Sequence, residues 1–210
     1  MDVLLTGFEP FAGERTNPSW DAVDAVRPDG YRLTKLRLPC VFGESIAAVR
    51  EALAVRRYDV VVCVGQAGGR VGVTPERVAV NLDDARIPDN AGAQPVDEPV
   101  APDGPAAYFT GLPVKACVAA LEAEGIPASV SHTAGTFVCN HVFYGLMHLV
   151  ATEHPGVRGG FVHVPFSPEQ AEGRDLPSLP VATTARALEL IVRTALTTST
   201  DLRTTAGALH

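Results

Sequence analysis

The sequence predicts a single-domain α/β/α sandwich on a mixed, mostly parallel central sheet, and three observations carry that expectation. Residues 2–6 (DVLLT) and 59–64 (DVVVCV) are short apolar runs that stop at Gly7 and Gly65. Continuous apolar runs bounded by glycine suit strands buried on both faces, as in a parallel sheet. Between them, ESIAAVREALAVRR places Ile46, Val49 and Leu53 at helical spacing, which gives β–α–β order. Strand-like and helix-like stretches then alternate to the C-terminus without repeat, linker or low-complexity segment, so residues 1–210 read as one catalytic-sized domain.

Taken in order, residues 31–38 (YRLTKLRL) form a further strand ahead of that helix. Residues 77–87 (RVAVNLDDARI) alternate Val78, Val80 and Leu82 with polar or small residues, the period of a half-exposed strand. Residues 85–113 carry six prolines, too long and broken for an ordinary connection, and are expected to form a functional or interface loop. Pro113 opens a helix with Val114, Cys117, Val118 and Leu121 on one face; Gly125 and Pro127 close it. Residues 128–132 (ASVSH) read as a strand, 139–154 as a helix, 159–167 as a strand and 181–196 as the last helix, followed by a polar, fraying tail.

Composition excludes several functions. A net charge of −7 with no cluster of Lys and Arg argues against nucleic acid or an anionic membrane as partner. No apolar stretch approaches the roughly 20 residues needed to span a bilayer, and the N-terminus lacks the pattern of a signal peptide. A cytoplasmic location is expected. The four cysteines, Cys40, Cys63, Cys117 and Cys139, form no CxxC pair, which suits a reducing compartment. Cys139, His141 and His148 are the nearest thing to a metal cluster, but their spacing matches no common zinc site, and no metal is expected. The glycines of VGQAGGRVG follow a strand but read GxxGGxxG rather than GxGxxG, with no GK[ST], so no nucleotide or other cofactor is expected.

The stretch ASVSHTAGTFVCNHVFYGLMHL raises a chemical question. From Cys139 onward, Val142, Phe143, Leu146, Leu149 and Val150 form one apolar stripe, so a helix begins within a residue or two of the thiol. Unpaired N–H groups and partial positive charge at that end favour thiolate, and a lowered thiol pKa is expected. The alternative is an ordinary buried cysteine, the reading that suits Cys63 and Cys117. His163 interrupts the apolar strand GGFVHVPF near its end, where catalytic groups of open α/β sheets gather; a core histidine bonded to a carbonyl is the competing account. Glu76, Asp83 and Asp84 are all candidates to orient an imidazole, and spacing does not choose among them.

Five long motifs in order, TGFEPFAGERTNPSW, VGQAGGRVGVTPERVAVNLDDARIPDN, GPAAYFTGLP, SHTAGTFVCNHVFYGLMH and GGFVHVPFSPEQ, make the sequence similar nearly end to end to the pyroglutamyl peptidase I family of cysteine peptidases. The resemblance implies a triad of Cys139, His163 and Glu76, and so selects Glu76 from the three carboxylates. It implies substrate contacts at Phe8, Phe11, Gln66, Ile87, Phe137 and Val138, and an oxyanion role for Arg86. It further implies removal of N-terminal pyroglutamate from peptides, without a cofactor, by a chain that assembles as a homotetramer. Two departures stand out: Ala12 where the family motif has glycine, and Cys40 in LPCVF, a second thiol near the pocket.

Overall fold

The computed structural model describes residues 1–207. Among these residues seven strands and six helices follow in the order β1 (Asp2–Phe8), α1 (Pro18–Ala25), β2 (Arg32–Leu38), α2 (Glu44–Val55), β3 (Val60–Gln66), β4 (Thr74–Pro75), β5 (Val78–Val80), β6 (Ala107–Phe109), α3 (Val114–Ala123), α4 (Val138–Thr152), β7 (Arg158–Val164), α5 (Pro168–Ala171) and α6 (Val181–Thr197). The main sheet has order β2-β1-β3-β7-β4. Its first four strands are parallel, and β4 runs antiparallel to β7 with Thr74 opposite His163. A mostly parallel, mixed sheet is therefore what the apolar runs encoded.

Alternation along those runs divides the core into two layers. Val3, Leu5, Val60, Val62, Val64, Val162 and Val164 meet Ala22 and Val23 of α1, Val114 and Leu121 of α3, and Leu188 and Ile191 of α6. Leu4, Phe8, Val61, Cys63 and Phe161 face the other way, onto Val49 and Leu53 of α2 and Val138, Val142 and Phe143 of α4. The central strands β1 and β3 thus bury both faces, which is why their sequences show no polar alternation, whereas the edge strand β2 is mostly half-buried and carries polar residues.

Gly7 is required by this packing. A β-carbon there would stand 2.6 Å from the Trp20 Cα, inside the backbone of α1. That helix went unread in the sequence, although Asn17 caps it by accepting from Ser19 N–H (3.1 Å) and Pro18 occupies its first turn.

Three expectations are revised. The half-exposed strand of residues 77–87 is only Val78–Val80, paired with β6 in a separate two-stranded sheet. Residues 128–132 form no strand, only isolated bridges of Ala128 to Val73 and Ser131 to Glu76. The polar tail does not simply fray: Asp201 accepts from the Lys115 and Ala116 N–H groups and so caps α3, whose own N-cap is a proline without a side-chain acceptor. No described helix is long and apolar enough to cross a membrane.

Candidate active site

Strand parity assembles the site. Phe8 on β1, Gly65 on β3 and His163 on β7 all lie at the carboxyl ends of their strands, on the face that carries α4. Gly65 is in direct register with His163. Cys139 is the second residue of α4, and its Sγ occupies the space above Gly65: a β-carbon on that glycine would come within 2.8 Å of the sulfur and of the Phe161 ring. Glycine is therefore what lets the thiol sit against the sheet, beside the histidine's strand.

The start of α4 has no side-chain cap, because Phe137 at the N-cap position offers no acceptor. The first helical bond in this turn runs from His141 N–H to Phe137 O (3.1 Å), so the N–H groups of Val138, Cys139 and Asn140 precede the intrahelical ladder. By contrast α1 and α5 are closed by Asn17 and Ser167. Asn140 anchors the helix instead, donating to Val80 O and Leu82 O and accepting from Val80 N–H.

His163 is buried and oriented. Its Nδ1 lies 2.7 Å from Glu76 Oε1, and Glu76 is fully buried with its N–H bonded to Phe161 O (2.9 Å). The same Oε1 receives Arg70 Nη1 at 2.7 Å, while Oε2 is buried with no partner. Neither other candidate carboxylate reaches His163. Asp83 Oδ2 pairs with His141 Nδ1 (2.8 Å), whose Nε2 accepts Gly43 N–H (3.0 Å), and Asp84 is exposed.

Desolvation is the largest influence on the titration of Cys139 and of His163. Burial, and then the neighbouring Cys40 and Glu76, push the Cys139 thiol up, with only Arg70 working in the opposite direction as a charge. Burial pushes the His163 imidazole down, partly offset by its bond to Glu76 and reinforced by Arg70. The direction at Cys139 is thus opposite to the lowered thiol pKa expected from the helix start. Cys40, Cys63 and Cys117 are also pushed up by burial, each to about 12. What sets Cys139 apart is access, since it alone of the four is half-buried rather than buried.

The remaining candidates are arranged as follows. Phe11 and Phe137 stand 6.2 Å apart between ring centroids, and Phe42, which the sequence did not single out, meets Phe137 edge-on at 5.4 Å. Phe8 is 2 % exposed and packs on Phe161 at 6.4 Å. Val138 is wholly buried and backs the helix start. Gln66 falls on the opposite parity to Gly65, and its Oε1 accepts Gln170 Nε2–H (3.0 Å) on the far layer. Its backbone is therefore the part that lies beside the thiol's face. Ile87 and Arg86 are exposed on the loop that Asp84 ties to Thr136 (N–H to O, 2.9 Å). Asp89 closes that loop by accepting from the Phe42, Ala91 and Ala93 N–H groups. Cys40, the second thiol expected near the pocket, packs in the same apolar cluster as Cys139. No group of three or more His, Cys, Asp or Glu side chains able to hold a metal occurs among the described residues.

Fold and site together define a class: an open α/β enzyme whose sheet gathers groups suited to acyl transfer at its carboxyl edge. Comparison with known proteins narrows it. The pyroglutamyl peptidase family model matches residues 1–198, and the chain belongs to that family. It is an enzyme, a peptidase of the hydrolase class. A pyrrolidone-carboxylate peptidase of Streptomyces coelicolor is 60% identical over 213 residues, with 99% of each chain covered. One from Bacillus subtilis is 50% identical, covering 99% of this chain and 98% of its own. The crystal structure of pyroglutamyl peptidase I from Bacillus amyloliquefaciens superposes with TM-score 0.95 at 51% identity, covering 97% of this chain and 99% of that one. A mutant pyrrolidone carboxyl peptidase from Pyrococcus furiosus gives 0.89 at 37% identity, over 93% and 98%.

Three residues escaped sequence reasoning: Arg70, Phe42 and Gln170. Gln170 did leave a local signal, the Ser167-x-x-Gln170 capping box of α5, but that marks a helix start and not the bond to Gln66; the contacts of Arg70 and Phe42 cross between segments and leave no spacing to read.

Proposed function

We propose that this chain is a cysteine exopeptidase that hydrolyses the N-terminal pyroglutamyl residue of peptides, with Cys139 as nucleophile, His163 as general base and acid, and Glu76 as its orienter. The observation that carries the reading is the buried bond from His163 Nδ1 to Glu76, on a strand registered with the glycine beneath the Cys139 sulfur. Glu76 fixes the tautomer with the proton on Nδ1, which leaves Nε2 as the acceptor.

In this reading Nε2 takes the thiol proton as Sγ attacks the pyroglutamyl carbonyl carbon. The oxyanion is held by N–H groups at the uncapped start of α4, with Arg86 as a further candidate by resemblance. The imidazolium then protonates the leaving peptide amine, the C–N bond breaks, and a thioester remains. Water, deprotonated by Nε2, attacks the thioester; pyroglutamate departs and the thiol regains its proton. No metal or cofactor enters these steps. The aromatic group of Phe8, Phe11 and Phe137 suits a flat, uncharged lactam ring, and the backbone beside Gln66 offers polar partners for its N–H and carbonyl. Ile87 and Val138 complete the proposed substrate contacts. The whole chain acts as one catalytic domain, in the cytoplasm, and assembles as a homotetramer, as family resemblance implies.

The test is kcat/KM for pyroglutamyl, prolyl, glutaminyl and glutamyl amides sharing one fluorogenic leaving group. The last three bring a cationic amine into an apolar pocket, and prolyl also lacks the lactam carbonyl, leaving pocket donors unpaired. Rejection by about a thousandfold or more is expected. Comparable pyroglutamyl and prolyl values would mean the pocket reads ring shape alone. Full activity in Cys139→Ala would remove the nucleophile assignment.

A further inference from the structure

The buried carboxylate of Glu76 is shared. One oxygen, Oε1, receives both His163 Nδ1 and Arg70 Nη1, each at 2.7 Å, and the other has no partner. Arg70 is itself held in place: Nη1 also donates to Thr74 Oγ1, and Nη2 donates to Thr133 O at 3.1 Å. Thr74 is the residue opposite His163 across β4 and β7, and Thr133 lies in the segment that leads into the helix of Cys139. The guanidinium therefore bonds Glu76 itself, the residue opposite His163, and the segment that leads into the helix of Cys139. Its side chain is 24% exposed, so the charge sits at the edge of the site.

We propose that Arg70 is a positioning residue for this reaction, keeping the Glu76 carboxylate aimed at His163 Nδ1 while cancelling part of the field that carboxylate casts on the ring. Two physical facts support it. A fully buried carboxylate with one orphan oxygen is costly to keep ionised, and a charge-assisted bond from arginine offsets that cost. A carboxylate alone beside an imidazole would also hold the ring as imidazolium, a form that cannot accept the thiol proton. A guanidinium on the same oxygen keeps the orientation and weakens that second effect. The charged and titratable groups facing this centre are Glu76 and Arg70 beside the ring, Cys139 from α4, and Cys40 and Cys63 near the sulfur, so Arg70 is the single fixed cation among them.

The inference rests on the proposed triad and is tested so that the two can fail separately. In Arg70→Met the acid limb of kcat/KM against pH should move up by about one pH unit. kcat should fall more than KM changes, because a transition-state contribution is lost. Arg70→Lys should return the limb most of the way towards wild type, since it restores the charge without the forked contact to Thr133. In parallel, the His163 ring is titrated directly by NMR in wild type and both variants, a readout that holds whatever reaction the site performs. An unchanged limb and unchanged ring titration in Arg70→Met, with activity lowered equally at every pH, would reduce Arg70 to a loop tie and overturn the proposal. A downward shift would overturn it too. If instead His163→Gln stays fully active, the triad fails, while the ring titration still decides the role of Arg70. Should Arg70→Met not fold, Arg70→Gln, which can still bond Thr133 O, replaces it with the same expected upward shift.

Discussion

At Cys139 two effects oppose each other. The open helix start favours thiolate, but loss of water around a mostly enclosed sulfur favours thiol, and Cys40 and Glu76 add to the second. Desolvation outweighs the helix start, so in the proposed mechanism attack relies on proton transfer to His163 rather than on a standing thiolate. The sign for pH follows. A base works only when neutral, and burial lowers the His163 pKa beneath its ordinary value of about 6.5. Activity should therefore persist as pH falls through 6.5 and be lost only below it. A kcat/KM profile on a pyroglutamyl amide checks this, and a limb above 6.5 would favour a standing ion pair. Iodoacetamide should label Cys139 first through its exposure, because it alone is half-buried while the other three thiols are buried; burial pushes all four up, so access and not titration separates them. Glu76→Gln should keep the fold by circular dichroism yet lose about a hundredfold or more in kcat. An amide still bonds Nδ1, but it cannot balance imidazolium and admits the wrong tautomer. Wild-type turnover would dismiss Glu76 as orienter.

Among the elements, the contact of α4 with β3 matters most for chemistry. Gly65→Ala puts a β-carbon 2.8 Å from both the Cys139 sulfur and the buried Phe161 ring, so each must retreat by roughly half an ångström or more, at a cost in stability of about 1–3 kcal/mol. The sulfur would be pushed off its position, and a misplacement approaching about 1 Å costs up to about a hundredfold in rate. Thermal melting beside turnover separates the two: a variant with near-native melting and near-native rate would show that the Sγ placement over Gly65 is not critical. The loop after β1 carries a different strain. Ala12 sits at φ 52°, in the left-handed region, where the family motif has glycine. Its β-carbon costs about 1 kcal/mol there, so Ala12→Gly should be neutral to slightly stabilising despite the freer unfolded chain. A clear loss of stability by denaturant titration would mean the methyl group packs usefully. The α1 and α4 starts also show what sequence reading can and cannot see. Asn17-Pro18 was a legible cap that went unread, whereas the absence of a cap at Phe137 acquires meaning only once the sulfur is found beside it.

For the whole molecule, the proposed homotetramer is checked by light scattering, which should return four times the chain mass of 22.1 kDa. A monomeric mass with full activity would show that assembly is dispensable for the reaction. The sequence by itself determined the layered α/β architecture, because each strand that buries both faces must be apolar throughout, and each helix must carry a stripe. It determined the position of the thiol at a helix start for the same local reason. Tertiary structure alone decided three things. It paired Glu76 rather than Asp83 or Asp84 with His163, and gave Asp83 to His141 instead. It turned the Gln66 side chain to the far layer. It reversed the direction of the Cys139 shift. Each depends on distances between segments far apart in the chain and on how much water remains between them. Local spacing records neither, since a carboxylate's partner and a thiol's desolvation exist only after the sheet has closed over them.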